Sequence, residues 1–198
     1  MRPLVLYLRS RAAPATAATV LGCAVALWAL GLAIDHPQGR VLTALLTALA
    51  ATIALAPGLA GADPDLDRAS AIAWPPRRAA HIVVAGAVVA ALLAATALAG
   101  QQMAGTGHIA RNVAGLAGLV ALGAAVLGAA RAPLLPVIWT VLVLRYAPPM
   151  GEPPTRPAYK IMLTWMVQPP DVRSATVTAV ALAVAGTLAY AVLGSRRS

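Results

Sequence analysis

The chain has one cysteine, one lysine and six acidic residues in 198 positions, and only 11% of it is charged. A soluble domain carries roughly 25%. A single cysteine excludes an intramolecular disulfide, and Cys23 falls in the middle of an apolar run, where it reads as a packing residue. The acidic residues, Asp35, Asp63, Asp65, Asp67, Glu152 and Asp171, all fall in loops or at helix ends, and His36, His81 and His108 fall in loops or at a helix start. The pattern therefore places nothing ionisable in the middle of a membrane span. That counts against a proton-driven carrier, which needs a carboxylate or histidine along the ion's path.

Catalytic patterns are equally scarce. There is no HExxH, no pair of carboxylates at helical spacing and no cysteine pair, and "GTGH" at 105–108 lacks the serine of a nucleophile turn. His108 and Arg111 read as a lone pair on a loop, without a nucleophile or acid partner. No GxxxxGK[ST] loop is present to hold a nucleotide phosphate. The expectation is a protein that is not an enzyme, with no cofactor and no metal, and that takes any energy it uses from a partner.

What is abundant is apolar sequence, at 60% of residues and a mean hydropathy of +0.79. No charge occurs between Arg40 and Asp63, Arg78 and Arg111, Arg111 and Arg131, or Arg173 and Arg196. A helix needs only about 20 apolar residues to cross the hydrocarbon core. A fifth run at 14–34 is preceded by Arg2, Arg9 and Arg11 and reads as a retained first helix rather than a secretory signal. The sixth, 132–147, would span roughly 24 Å at about 1.5 Å per residue, short of a core of about 30 Å, and works only beside other helices. The predicted fold is all-α and polytopic, a single transmembrane domain with spans at 14–34, 41–62, 80–100, 112–130, 132–147 and 174–195.

With the N-terminus inside, nine basic residues face inward and six, Arg40, Arg111, Arg145, Arg156, Lys160 and Arg173, face outward. That excess favours cytoplasmic termini. The net charge of +9 needs no nucleic acid, because arginines at span ends meet anionic headgroups. Fourteen arginines against one lysine in an Ala-rich chain fit a high-GC bacterial genome, and hence a bacterial inner membrane.

Two connections stand out. Residues 63–79 form a cytoplasmic loop in which Asp63 caps a helix, Pro64 takes its first position, and Asp65 and Asp67 lie in the first turn, where the helix dipole favours anions. The helix is expected to stop before Pro75. Residues 148–173 form the longest outer loop, with prolines at both ends and an apolar middle, "AYKIMLTWMV" at 158–167, that lies in the interface or dips in and returns. Trp165 there reads as an interfacial tryptophan approaching Trp139 of the fifth span. In the fourth span, Ala114 and Gly118, Ala121 and Ala125, and the further Gly123 and Gly128 mark close helix approach. Asn112, at that helix's outer end, reads as a cap or as a hydrogen-bonding partner of a neighbouring element.

A basic piece, "MRPLVLYLRSR", before the first span, a charged helix between spans two and three, a short fifth span and a broken outer segment before the sixth together resemble the membrane-spanning permease subunits of six-helix ABC exporters. The resemblance implies a dimer, of two copies or of this chain and a paralogue, energised by a separate cytoplasmic ATPase and exporting an amphipathic or hydrophobic substrate. It also implies that the 63–74 helix docks on the ATPase through Asp63, Asp65, Leu66, Asp67, Arg68 and Ile72. The rival reading is a membrane scaffold or accessory protein, or a small membrane enzyme with an unrecognised site.

Overall fold

In hydrocarbon every backbone N–H and C=O must find its partner inside the protein, so long uninterrupted apolar runs become helices. The computed structural model describes residues 13–60, 74–98, 104–147 and 157–196. Among them it has six helices long and apolar enough to cross a membrane, at Pro14–Ala33, Pro37–Leu59, Trp74–Thr96, Thr106–Leu127, Ala129–Tyr146 and Arg173–Leu193. No strand occurs among the described residues. The all-α, six-span reading is the fold observed.

Several boundaries move, each for a local reason. The second span starts at Pro37, four residues before the expected 41, since proline's fixed φ and missing N–H suit a first turn. Arg40 is thereby on the helix, and its Nε donates to the Ile34 carbonyl at 2.8 Å. This span breaks at Ala54 and Leu55 before a last short turn, Ala56–Leu59. The third span begins at Trp74 rather than 80, taking Pro75, Pro76, Arg77 and Arg78 into its first turns. The fourth begins at Thr106 rather than 112, so His108 and Arg111 are helical and not on a loop. The fifth is the short one: its α-helix is Leu134–Tyr146, lengthened by a 3-10 turn at Ala129–Arg131. The predicted 63–74 helix lies outside the described residues, as does 148–156.

The fourth span is the post of the bundle. Of its most apolar stretch 78% is buried, against 17 to 44% in the other spans. Its most extensive partner is the sixth span. That pairing is close because Gly118 and Gly186 sit at the crossing, where a Cβ on Gly118 would strike the Leu182 and Ala183 backbone. The first and sixth spans turn Leu21, Val25, Val184, Leu188 and Val192 outward, the faces a bilayer would cover.

Tertiary bonds define two ends. At the near end the Thr16 hydroxyl donates to the Ala54 carbonyl at 3.1 Å, the Tyr190 hydroxyl to the Leu59 carbonyl at 2.9 Å, and the Arg196 backbone N–H to the Ala124 carbonyl at 2.9 Å. Both limits of the described chain, Ala13 and Arg196, therefore lie at this end with the residues that flank the 61–73 connection. The far end carries the 157–172 segment.

Candidate functional site

Apolar spans give few polar side chains a reason to turn inward: besides the single threonines Thr47, Thr52, Thr96 and Thr140, the buried polar side chains of the spans share one stripe. His108, Arg111, Asn112 and Gly115 are spaced i, i+3, i+4 and i+7 along the fourth span, which puts them on one face. His108 and Arg111 are each 7% exposed and Asn112 is 1% exposed.

Against this stripe lies the 157–172 segment. Pro157 opens a short helix, Ala158–Leu163, a 3-10 turn follows at Trp165–Val167, and Pro169 and Pro170 stop any further helix. So broken a backbone leaves carbonyls without a helical partner, and side chains of the fourth and fifth spans take them. Trp139 Nε1 donates to the Leu163 carbonyl at 3.0 Å and Asn112 Nδ2 to the Met166 carbonyl at 2.9 Å. Arg111 donates from Nη1 to the Pro169 carbonyl at 2.9 Å and from Nη2 to the Gln168 carbonyl. Within the segment Gln168 Nε2 donates to the Thr164 hydroxyl at 2.7 Å, which itself donates to the Lys160 carbonyl at 2.8 Å. Irregular backbone at membrane depth is tolerated where protein satisfies it in this way.

Below the hydrogen bonds, Trp165 and Met166 are fully buried. Trp165 lies in a notch left by Gly115, where a Cβ would overlap the indole ring. The segment thus dips into the bundle and returns, and Trp165 is a core residue rather than an interfacial one. The expected approach of Trp165's segment to Trp139 is present as the Trp139 to Leu163 bond.

His108 bridges the network. Nε2 faces Asn112 Nδ2 at 3.1 Å, and Nδ1 faces Arg111 Nη2 at 3.2 Å. Arginine only donates, and a neutral imidazole has one N–H. Asn112 Nδ2 has two hydrogens, one of them for the Met166 carbonyl. Both ring nitrogens therefore face donors, and a neutral ring accepts from one of them while its N–H lies against the other. His108 sits between Arg111 and Asn112 on the same helix face and spaces their side chains.

Among the described residues three buried side-chain nitrogen or oxygen atoms have no partner: Arg111 Nε, Asn112 Oδ1 and Trp165 Nε1. All three belong to the contact between the fourth span and the broken segment. No carboxylate contacts the guanidinium among the described residues; Asp171 acts on it only at longer range. Nor do the described residues bring together three or more His, Cys, Asp or Glu side chains able to hold a metal ion.

The residues expected to dock a partner, Asp63, Asp65, Leu66, Asp67, Arg68 and Ile72, lie outside the described residues. Their flanks, Ala60 and Trp74, stand at the near end. Sequence reasoning missed the far-end cluster, although the 108, 111, 112, 115 spacing was available once the helix was started after Gly105. No protein-family model matches the chain, and neither a curated protein nor a solved structure matches it.

Proposed function

We propose that the chain is the membrane-spanning subunit of an ATP-driven exporter of an amphipathic or hydrophobic substrate, acting in a bacterial inner membrane as a dimer with a separate cytoplasmic ATPase. The observation that carries the reading is the polar 61–73 connection. It is the most acidic stretch of a chain poor in acids, and its flanking residues stand at the same end of the bundle as both limits of the described chain. The capped helix that the sequence predicts there, with Leu66 and Ile72 among Asp65, Asp67 and Arg68, would offer a soluble partner a buried contact with a charged rim. The broken 157–172 segment before the sixth span adds support, since the same element belongs to the exporter subunits that the chain resembles. Without a phosphate-binding loop of its own, the chain leaves ATP hydrolysis to that partner.

The test is to isolate the tagged full-length chain from its native membrane in mild detergent and measure the ATP hydrolysis that accompanies it. The expected result is vanadate-sensitive hydrolysis that is lost with the Leu66→Asp, Ile72→Asp double substitution while the chain remains inserted. Undiminished hydrolysis in the double variant would return residues 61–73 to an interfacial anchor, and absence of hydrolysis in the parent would favour a scaffold.

A further inference from the structure

We infer that Arg111, with the Trp165 indole N–H, forms a binding site for an anionic oxygen of the phosphate or carboxylate kind, which the carbonyls of Gln168 and Pro169 occupy when no ligand is bound. The inference rests on the far-end seam alone and does not depend on the exporter reading.

Four observations lead to it. First, Arg111 is a buried cation whose hydrogen-bond partners are two backbone carbonyls and the His108 ring, none of them an anion. A guanidinium bonds an anionic oxygen through shorter and roughly twice stronger hydrogen bonds than it makes with neutral acceptors. A charge removed from water without a contacting counter-charge is costly, so an arriving anion is favoured at this place above others in the bundle. Second, the Nε–H of the same guanidinium is unused, although its fork geometry suits two oxygens of one group. Third, Trp165 contributes a second unused N–H from the opposite side of the seam, on a side chain that is 0% exposed. Fourth, Asn112 Oδ1 is an unused acceptor beside them, fit for a hydroxyl or a water that accompanies the ligand.

Every buried side-chain atom without a partner among the described residues sits on this one seam. Buried polar groups are nearly always paired, so three orphans in one contact mark a place where the packed arrangement is incomplete. The three atoms are closed off in this arrangement. A ligand therefore exchanges with the segment's carbonyls: as 157–172 lifts, water takes up the Gln168 and Pro169 carbonyls, and Arg111 and Trp165 turn their N–H groups to the anion. His108 stays with the fourth span and keeps Asn112 and Arg111 aligned. The surroundings are apolar, with Met166, Gly115 and the neighbouring spans below, so an anionic group on an alkyl chain fits the seam from the far end.

The experiment uses the full chain with Cys23→Ala and a single reporter cysteine at the buried Met166, in dodecyl maltoside, with maleimide labelling as readout. Dodecyl phosphate, inorganic phosphate and dodecyltrimethylammonium are titrated separately. The expected result is a saturable rise in labelling with dodecyl phosphate and none with the cationic amphiphile. An equal rise with inorganic phosphate would identify the ligand as the free anion, and a rise with dodecyl phosphate alone would identify an amphiphile headgroup.

Trp165→Phe keeps the ring in the Gly115 notch and is expected to raise the half-saturating concentration about tenfold, the scale of a hydrogen bond to a charged group. Arg111→Gln is expected to abolish the response. Asn112→Ala loosens the segment without touching the cation, so its response should survive at lower ligand concentration. No response in the parent, an equal response to the cationic amphiphile, or parental half-saturation in both the Trp165 and Arg111 variants would each overturn the inference.

Discussion

The backbone carbonyl of Gly118 occupies the place where a side chain on Gly186 would begin. The fourth and sixth spans cross there on bare backbone, and neither glycine has room for a methyl group. Gly186→Ala must push the helices apart, and overpacking of this kind costs about 1 to 3 kcal/mol. Thermal unfolding in detergent should show the loss. Gly86→Ala is the control, because its added Cβ would meet Ala117 Cβ at an ordinary 3.6 Å. It should leave the unfolding midpoint where it is.

Gly115 and Trp165 form a second size-matched pair, on the fourth span and the broken segment. Gly115→Leu should expel the indole, and combining it with Trp165→Ala should restore part of the loss. Residues in contact of this kind typically couple by about 0.5 to 3 kcal/mol. A double-substitution cycle on unfolding midpoints measures the coupling, and strict additivity would mean that the ring does not fill the notch.

Tyr190 ties the sixth span to the last turn of the second, through a bond between residues 131 positions apart. Tyr190→Phe keeps the packing and leaves the Leu59 carbonyl short of a donor in a buried place, at a cost of about 1 to 3 kcal/mol. A lower unfolding midpoint with unchanged helix content is the expected outcome. Protease cleavage near Ala60 should quicken as well, since that bond holds the chain just ahead of the 61–73 connection.

Sidedness follows from alternating spans. In a Cys23→Ala chain, cysteine at Ser70 should react with an impermeant thiol reagent from the cytoplasmic side, and cysteine at Thr155 from the other. Three spans lie between the two positions, so labelling of both from one side would contradict the six-span arrangement.

The six spans were legible because a bilayer imposes a length, and uncharged runs of that length recur along the chain. The start of the fourth span was not. His108 and Arg111 look as though they must stay outside, because locally nothing matches them. The acceptors of Arg111 are backbone carbonyls 57 and 58 residues further along, in a segment whose own irregularity creates the need. Of the two readings open for Asn112, a cap or a hydrogen bond to a neighbour, the structure has the second, with a carbonyl partner 54 residues away that the local sequence does not name. Trp165 was misread because tryptophan alone does suit a membrane boundary; only the Gly115 notch, a property of two residues 50 positions apart, places it inside. The proline bounds of the second and third spans were visible as prolines. They acted as openers rather than stops, since each stands where a first turn has no N–H to lose.

Because the fourth span is the post and its polar stripe is matched by residues made later, the order of synthesis has a consequence. When this helix leaves the ribosome, the broken segment and the sixth span do not yet exist. His108, Arg111 and Asn112 must wait at the far boundary, hydrated, while the fifth span inserts. Only the arrival of Trp165 to Pro169, and then of Gly186 against Gly118, draws the stripe into the interior. Maturation of this protein is therefore a late event, and a chain stalled before residue 165 would present to the membrane's quality control a helix with a bare cation and an empty notch.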